Sequence, residues 1–199
     1  MPQPAIYTIG HGGRTVEAFI KLLQQHDIAF LIDVRSKPYS RYQPDFTKQS
    51  LEHHLKAHDI RYVFLGDKLG GRPEDPSCYI DGKVDYEQVQ ARDFYKSGLE
   101  RLEKGWQQGL GVVLLCSERK PEQCHRSKLI GRSLAERGIG MAHIDEKDLV
   151  ISQEEVMLRV IGGQPSLFGQ EFHMLTSRKR YDSGGAEGED YPQGREDVN

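Results

Sequence analysis

The feature that most constrains the fold is an alternation of short apolar runs with amphipathic segments along the chain. Five such runs cover residues 5–9, 29–34, 61–65, 110–115 and 141–144. The run Phe30-Leu31-Ile32 contains no polar residue, which is typical of a strand covered on both faces. The alternation predicts an α/β fold: an open, mainly parallel five-stranded sheet between two layers of helices, similar to a Rossmann fold.

Residues that favour helix starts precede the amphipathic segments, which supports this interpretation. These residues are Thr15, Thr47, Asp85, Pro121 and the capping-box pair Ser152 and Glu155. The dipeptide Asp81-Gly82 lies between two short β-prone runs and predicts a hairpin after the third strand.

Composition and patterning divide the chain into three parts. We expect a single α/β domain over residues 1–161, a linker over 162–175, and a disordered polar tail over 176–199. That tail carries 4 basic and 6 acidic residues and a single aliphatic one. It cannot bury enough apolar surface to offset the entropy of ordering.

Charge and cysteine content exclude several classes of protein. The net charge of -3 excludes a wholly basic, histone-like chain, although it allows a local basic site. Three cysteines in 199 residues do not make a disulfide framework. Met-Pro-Gln-Pro does not resemble a secretory signal and no apolar run approaches the length of a membrane span, so we expect neither in this protein. We therefore expect a cytoplasmic protein without membrane contact.

Arginines and glycines follow the ends of several predicted strands. In open parallel sheets, ligands bind beyond the carboxyl ends of the strands, and guanidinium groups bond two phosphate oxygens at once. We expect an anion or phosphate site there, formed by Gly10, Arg14, Arg35, Arg41, Arg72, Arg119 and Arg126. The alternative is that the individual arginines pair with neighbouring carboxylates.

Arg126 shares a helical face with Ile130 and Leu134, so its side chain is expected to point inward. A buried arginine requires a carboxylate or a bound anion. Asp33 and Glu118, both at strand ends, are the protein groups expected to pair with it.

Cysteine and histidine residues at the same carboxyl edge of the predicted sheet are candidates for catalysis. The candidate catalytic residues are Cys116, Glu118, His125 and His11. Cys116 is either a nucleophile with a lowered pKa or a small buried apolar residue. A zinc site formed by Cys116, Cys124, His125 and His11 lacks the usual short ligand spacings, so no metal site is predicted. No cofactor is indicated.

Several short motifs in a fixed order resemble the domain-of-unknown-function 488 family over roughly residues 5–146. They are Ile9-Gly10-His11, Asp33-Val34-Arg35, Pro38 with Ser40-Arg41, Tyr62, Leu69-Gly70-Gly71, Leu115-Cys116 with Glu118, and Cys124-His125-Arg126. The resemblance implies an α/β domain with these motifs at the strand ends and no assigned activity. Gly12 stands where such sequences often have a small hydroxyl residue, which argues against a hydroxyl role there.

Three functional hypotheses follow from these residues. The chain is an enzyme acting on a nucleotide or nucleic-acid substrate, a non-catalytic binding protein for nucleic acid or a protein partner, or a thiol redox protein using Cys116 and Cys124. Separately, Gln164, Leu167 and Phe168 resemble the short peptide by which bacterial proteins bind the sliding clamp, with Pro165 as a departure. The alternative is that Leu167 and Phe168 fold back onto their own domain.

Overall fold

The computed structural model describes residues 5–162 and 176–181. Its helices are α1 Val16–Gln25, α2 Lys48–Lys56, α3 Gly66–Leu69, α4 Tyr86–Ala91, α5 Asp93–Gln107, α6 Arg132–Glu136 and α7 Gln153–Val160. Its strands are β1 Ile6–Gly10, β2 Phe30–Asp33, β3 Arg61–Phe64, β4 Tyr79–Ile80, β5 Lys83–Val84, β6 Val112–Cys116, β7 Met141–Ile144 and β8 Val150–Ser152. Within these described residues, no helix has both the length and the apolar character needed to cross a membrane.

The main sheet has six strands in the order β3-β2-β6-β1-β7-β8. The five predicted strands are all present and pair in parallel. The sixth, β8, pairs antiparallel with β7 at one edge and corrects the predicted number of strands. It was missed because it is only three residues long and partly exposed, so its apolar signal is weak.

Two apolar clusters, one on each face of the sheet, give the three predicted layers. On one face, α4, α5 and α6 pack against Val112 and Leu114 of β6. On the other face, α1 and α2 pack against Val113 and Leu115 of the same strand. Because successive side chains of a strand point to opposite faces, the continuous apolar run of β6 is required by burial on both sides.

The helix starts mostly agree with the sequence prediction. The Thr15 side chain accepts a hydrogen bond from the Ala18 N–H, and Ser152 and Glu155 form a complete capping box. The helix expected after Asp85 is interrupted at Arg92, whose extended backbone separates α4 from α5.

The segment after Pro121 also differs from the single helix that was expected. A 3-10 turn, Pro121–Gln123, is followed by a π-helical segment, Arg126–Gly131, which leads into α6. Wide π-type turns are rare in proteins, and those that do occur are frequently found at functional sites. A Cβ on Gly131 would lie 2.3 Å from Oε1 of Gln153, so a side chain there would require the Gln153 amide to move away from its partners His143 and Ser127.

Asp81 and Gly82 form the turn of the β4-β5 hairpin, as predicted. Residues 176–181, which we expected to be disordered, instead lie against this hairpin. The N–H of Ser177 donates to the carbonyl of Val84, and Tyr181 packs on the apolar cluster beneath. Residues 176–181 therefore have partners that composition alone does not reveal, whereas the rest of the expected tail, residues 182–199, lies outside the described part of the chain.

Candidate functional site

The carboxyl edge of the sheet brings the predicted motifs together. Gly10 at the end of β1 stands beside Cys116 at the end of β6, and Asp33 at the end of β2 stands beside Leu115. The loops that follow these strands carry the candidate anion-binding and catalytic residues. Parallel pairing is therefore what collects residues that are far apart in the sequence.

Arg35 is occupied by Asp33. Its Nε donates to Oδ1 at 2.9 Å and its Nη2 to Oδ2 at 2.6 Å, while the Tyr62 hydroxyl donates to Oδ2 at 2.8 Å. Burial alone would lower the pKa of Arg35, but the hydrogen bonds and charge of Asp33 raise it. Arg35 is thus part of a structural ion pair. This agrees with the alternative given in the sequence analysis, that individual arginines pair with neighbouring carboxylates.

His11 is held by two polar partners and is fully engaged. Its Nδ1 donates to Oε1 of Gln43 at 2.9 Å, and its Nε2 accepts from Nη1 of Arg35 at 3.2 Å. The ring also stacks on Phe46. Burial and the positive charge of Arg35 lower the pKa of His11 to about 4. The neutral ring has no free nitrogen for proton transfer, so the arrangement favours a structural role over the predicted catalytic one.

Arg14 also has partners, but it lies among like charges. It donates to the carbonyl of Gly10 and pairs with Asp148. Burial lowers the pKa of Arg14, and the positive charges of Arg119 and Arg126 act in the same direction, against the opposing effect of Asp148. Three guanidinium groups therefore converge behind the loop formed by residues 10–14.

Arg126 is the most unusual of these groups. Its side chain is 0% exposed, as the sequence predicted. Its Nη2 donates to the carbonyl of Arg119 at 2.8 Å, whereas Nε and Nη1 have no hydrogen-bond partner among the described residues. The expected pairing with Asp33 or Glu118 is wrong, because Asp33 pairs with Arg35 and the Glu118 carboxylate is directed to Arg178 at 3.5 Å.

The remaining predicted arginines differ in position. Arg119 lies beside Gly13, donates from Nη2 to the carbonyl of Glu146, and has an unpartnered buried Nε within the described part. Arg72 is exposed and its guanidinium lies over the ring of Tyr181, 4.1 Å from the centroid. Arg41 is exposed on the loop after β2. Only Arg119 therefore borders the same loop as Arg14 and Arg126.

Cys116, Cys124 and His125 form a compact cluster next to Arg126, and all three are buried. Nδ1 of His125 lies 3.8 Å from Sγ of Cys116 and 3.6 Å from Sγ of Cys124. A hydrogen bond from the Cys124 thiol holds the pKa of Cys116 well below its usual range, and the nearby His125 and Arg126 add to this effect. Burial and the same hydrogen bond raise the pKa of Cys124.

A chain of hydrogen bonds behind the cluster was not foreseen from the sequence. The Thr8 hydroxyl donates to Nδ1 of His143, whose Nε2 donates to Oε1 of Gln153; both contacts are 2.7 Å. The Gln153 amide then donates to the carbonyl of Ser127 in the π-helical segment. The only signal in the sequence was the position of His143 near a strand end, and Gln153 gave none.

Comparison with known proteins places the chain in a family. The model of the family described as "Domain of unknown function DUF488" matches residues 15–132, more than half of the chain. The chain belongs to this family. Searches of curated proteins and of solved structures give no match. The match covers the Asp33, Cys116 and Cys124-His125-Arg126 motifs, which supports the resemblance inferred from the sequence.

The residues resembling a clamp-binding peptide, Gln164, Leu167 and Phe168, lie outside the described residues. Clamp binding stays a prediction from the sequence.

Proposed function

We propose that this DUF488 protein is an enzyme that binds the phosphate group of a nucleotide or nucleic-acid substrate at the carboxyl edge of its sheet. The observation that carries the proposal is the buried guanidinium of Arg126, whose Nε and Nη1 have no partner in the described part of the chain. A buried charge without a counterion is strongly unfavourable, and a bound anion would remove that penalty.

The surroundings of Arg126 favour an anion over a protein carboxylate. Arg14 and Arg119 lie close enough to add their positive charge, and of these two, only Arg14 has a carboxylate partner within residues 5–162 and 176–181. A Cβ on Gly10 would lie 2.8 Å from Nη1 of Arg126, so the absence of a side chain there lets the loop approach the guanidinium. Phosphate, with several oxygens and more than one negative charge, suits such a group of arginines.

The enzymatic part of the proposal rests on the cluster beside Arg126. Cys116 and His125 are the predicted catalytic residues that the structure brings together, whereas His11 is engaged by Arg35 and Gln43. The reactive group would therefore be supplied by this cluster, next to the bound phosphate. A protein that only binds phosphate would not require such a cluster of cysteine and histidine.

Thermal unfolding with added phosphate tests the proposal. Inorganic phosphate, or a mononucleotide, should raise the melting temperature of the full chain, because a ligand that binds only the folded state stabilises it. Arg126→Met keeps an apolar side chain of similar length and should fold at least as stably without phosphate, yet lose the stabilisation. The matched control is Arg101→Met, at an exposed position on α5, which should respond as the wild type does.

Two results would overturn the proposal. One is that neither phosphate nor a nucleotide stabilises the wild type. The other is that the Arg126→Met protein is stabilised as much as the control.

A further inference from the structure

We propose that Cys116, Cys124 and His125 bind one zinc ion. None of the proposed phosphate-binding arginines is among the ligands, so the zinc site can be tested separately from the phosphate site. The inference deepens the enzymatic part of the proposed function, because the ion would be held by the same Cys116 and His125 to which the reactive role was assigned. It also departs from the expectation drawn from ligand spacing in the sequence.

The distances between the three ligand atoms fit a tetrahedral metal. Metal–sulfur bonds of about 2.3 Å and metal–nitrogen bonds of about 2.0 Å place a sulfur and a nitrogen ligand about 3.6 Å apart. Nδ1 of His125 lies 3.8 Å from Sγ of Cys116 and 3.6 Å from Sγ of Cys124. All three ligand atoms lie within 4.8 Å of one another, so a shared ion requires little movement of the chain.

The histidine presents the correct nitrogen. Nε2 of His125 donates to the carbonyl of Val34 at 3.2 Å, which places the proton of a neutral ring on Nε2. The unprotonated Nδ1 then faces the two sulfur atoms. Zinc-binding histidines are commonly oriented by such a hydrogen bond from the other ring nitrogen to a backbone carbonyl or a carboxylate.

The surroundings also suit two thiolates. The backbone N–H of Arg126 donates to Sγ of Cys124 at 3.5 Å, and the Arg126 guanidinium supplies positive charge nearby. When Zn²⁺ enters, each thiol that is still protonated loses its proton to solvent, and both sulfur atoms bond to the metal. Metal binding is therefore expected to release protons.

Three protein ligands leave the fourth position open. The fourth ligand considered from sequence, His11, has both ring nitrogens engaged and is not free to bind. A zinc ion with three protein ligands and one open position is the arrangement of catalytic zinc sites, where water or substrate completes the shell. Gly71 lies against the ring of the zinc ligand His125, since a Cβ on Gly71 would lie 2.8 Å from Nδ1 of His125.

The experiment uses the full chain, purified under reducing conditions without chelator, and measures bound metal by mass spectrometry. We expect one zinc ion per chain. After removal of zinc, titration with Co²⁺ should give visible bands of a tetrahedral ion and a near-ultraviolet thiolate-to-cobalt band, both reaching a plateau at one equivalent. Added Zn²⁺ should abolish these bands.

Cys116→Ser, Cys124→Ser and His125→Gln should each weaken Co²⁺ binding by at least tenfold. The matched control is Cys78→Ser, since Cys78 is also a buried free cysteine but lies in the turn before the β4-β5 hairpin. This variant should bind Co²⁺ as the wild type does. Circular dichroism establishes that each variant is folded, and the cobalt spectrum of the wild type needs no variant to be interpreted.

Three outcomes would overturn the zinc site: no tetrahedral cobalt spectrum from the reduced wild type, equal loss of binding in the Cys78→Ser control, or a Cys116–Cys124 disulfide that persists under reductant. Loss of phosphate stabilisation with an intact cobalt spectrum would reject only the proposed phosphate site.

Discussion

The Nη1 atom of Arg126 lies 2.8 Å from the point that a Cβ atom on Gly10 would occupy. The same Cβ would lie 1.8 Å from the carbonyl oxygen of Glu118, which belongs to the backbone and cannot turn aside. Gly10 is thus required because two other segments approach its backbone closely.

Gly10→Ala should therefore destabilise the protein by about 3 kcal/mol or more, since overpacking a rigid site costs energy. Urea unfolding measures the change. Gly140→Ala is the control, because a Cβ there would meet its nearest atom at 3.8 Å. Equal stabilities of the two variants would contradict the close approach seen at Gly10.

Asp33→Asn should destabilise the fold by about 3–5 kcal/mol, because it leaves the buried Arg35 guanidinium without its counterion. The comparison variant is Asp93→Asn, whose fully exposed carboxylate lies 3.9 Å from the Lys96 amine and should matter little. Chemical denaturation of both proteins decides. Similar midpoints would show that the Asp33–Arg35 pair adds no more than a surface contact.

Acidification should destabilise the protein through His143. Burial, together with the positive charge of Arg126, lowers the pKa of His143 to about 3 in the folded state. Between that value and the ordinary value of about 6.5, the unfolded chain binds a proton that the folded chain does not. The contribution of His143 to the free energy of unfolding is therefore fully present above about pH 6.5. It decreases as the pH falls, so that the protein loses about 2 kcal/mol of stability at pH 5 through this group.

The measurement is the pH dependence of the free energy of unfolding between pH 7 and pH 5. His143→Gln should reduce the slope, whatever its effect on stability at pH 7. His53→Gln replaces an exposed ring on α2 and should leave the slope as it is in the wild type. A slope unaltered by His143→Gln would refute this prediction.

Cys116 should react with iodoacetamide faster than Cys78 once metal has been removed by a chelator. The Cys124 hydrogen bond lowers the pKa of Cys116, whereas burial raises the pKa of Cys78. The thiolate is the reactive form. Mass spectrometry after brief labelling at pH 7 measures both sites, and Cys116→Ser shows whether Cys124 reacts in its place. If Cys78 is labelled before Cys116, then Cys116 behaves as a buried apolar residue.

The sequence by itself determined the α/β architecture and pointed to the edge of the sheet at which the candidate site lies. Strongly apolar runs such as β6 and capping residues such as Thr15 are local signals, so they predicted elements that the structure confirms. The rule that ligands bind at the carboxyl ends of parallel strands directed attention to Cys116 and Arg126. The inward orientation of Arg126 followed from its helical spacing to Ile130 and Leu134.

Only the tertiary structure decided which of these polar groups have partners. Arg35 and Arg126 look alike in the sequence, yet one is paired with Asp33 and the other has two unpartnered nitrogens in the described structure. The Cys116, Cys124 and His125 cluster was likewise hidden, because its spacing fits no metal motif and its geometry depends on how β6 meets the π-helical segment. The physical reason is that local sequence sets where a strand or helix forms, whereas hydrogen bonding and charge pairing depend on distances between distant segments.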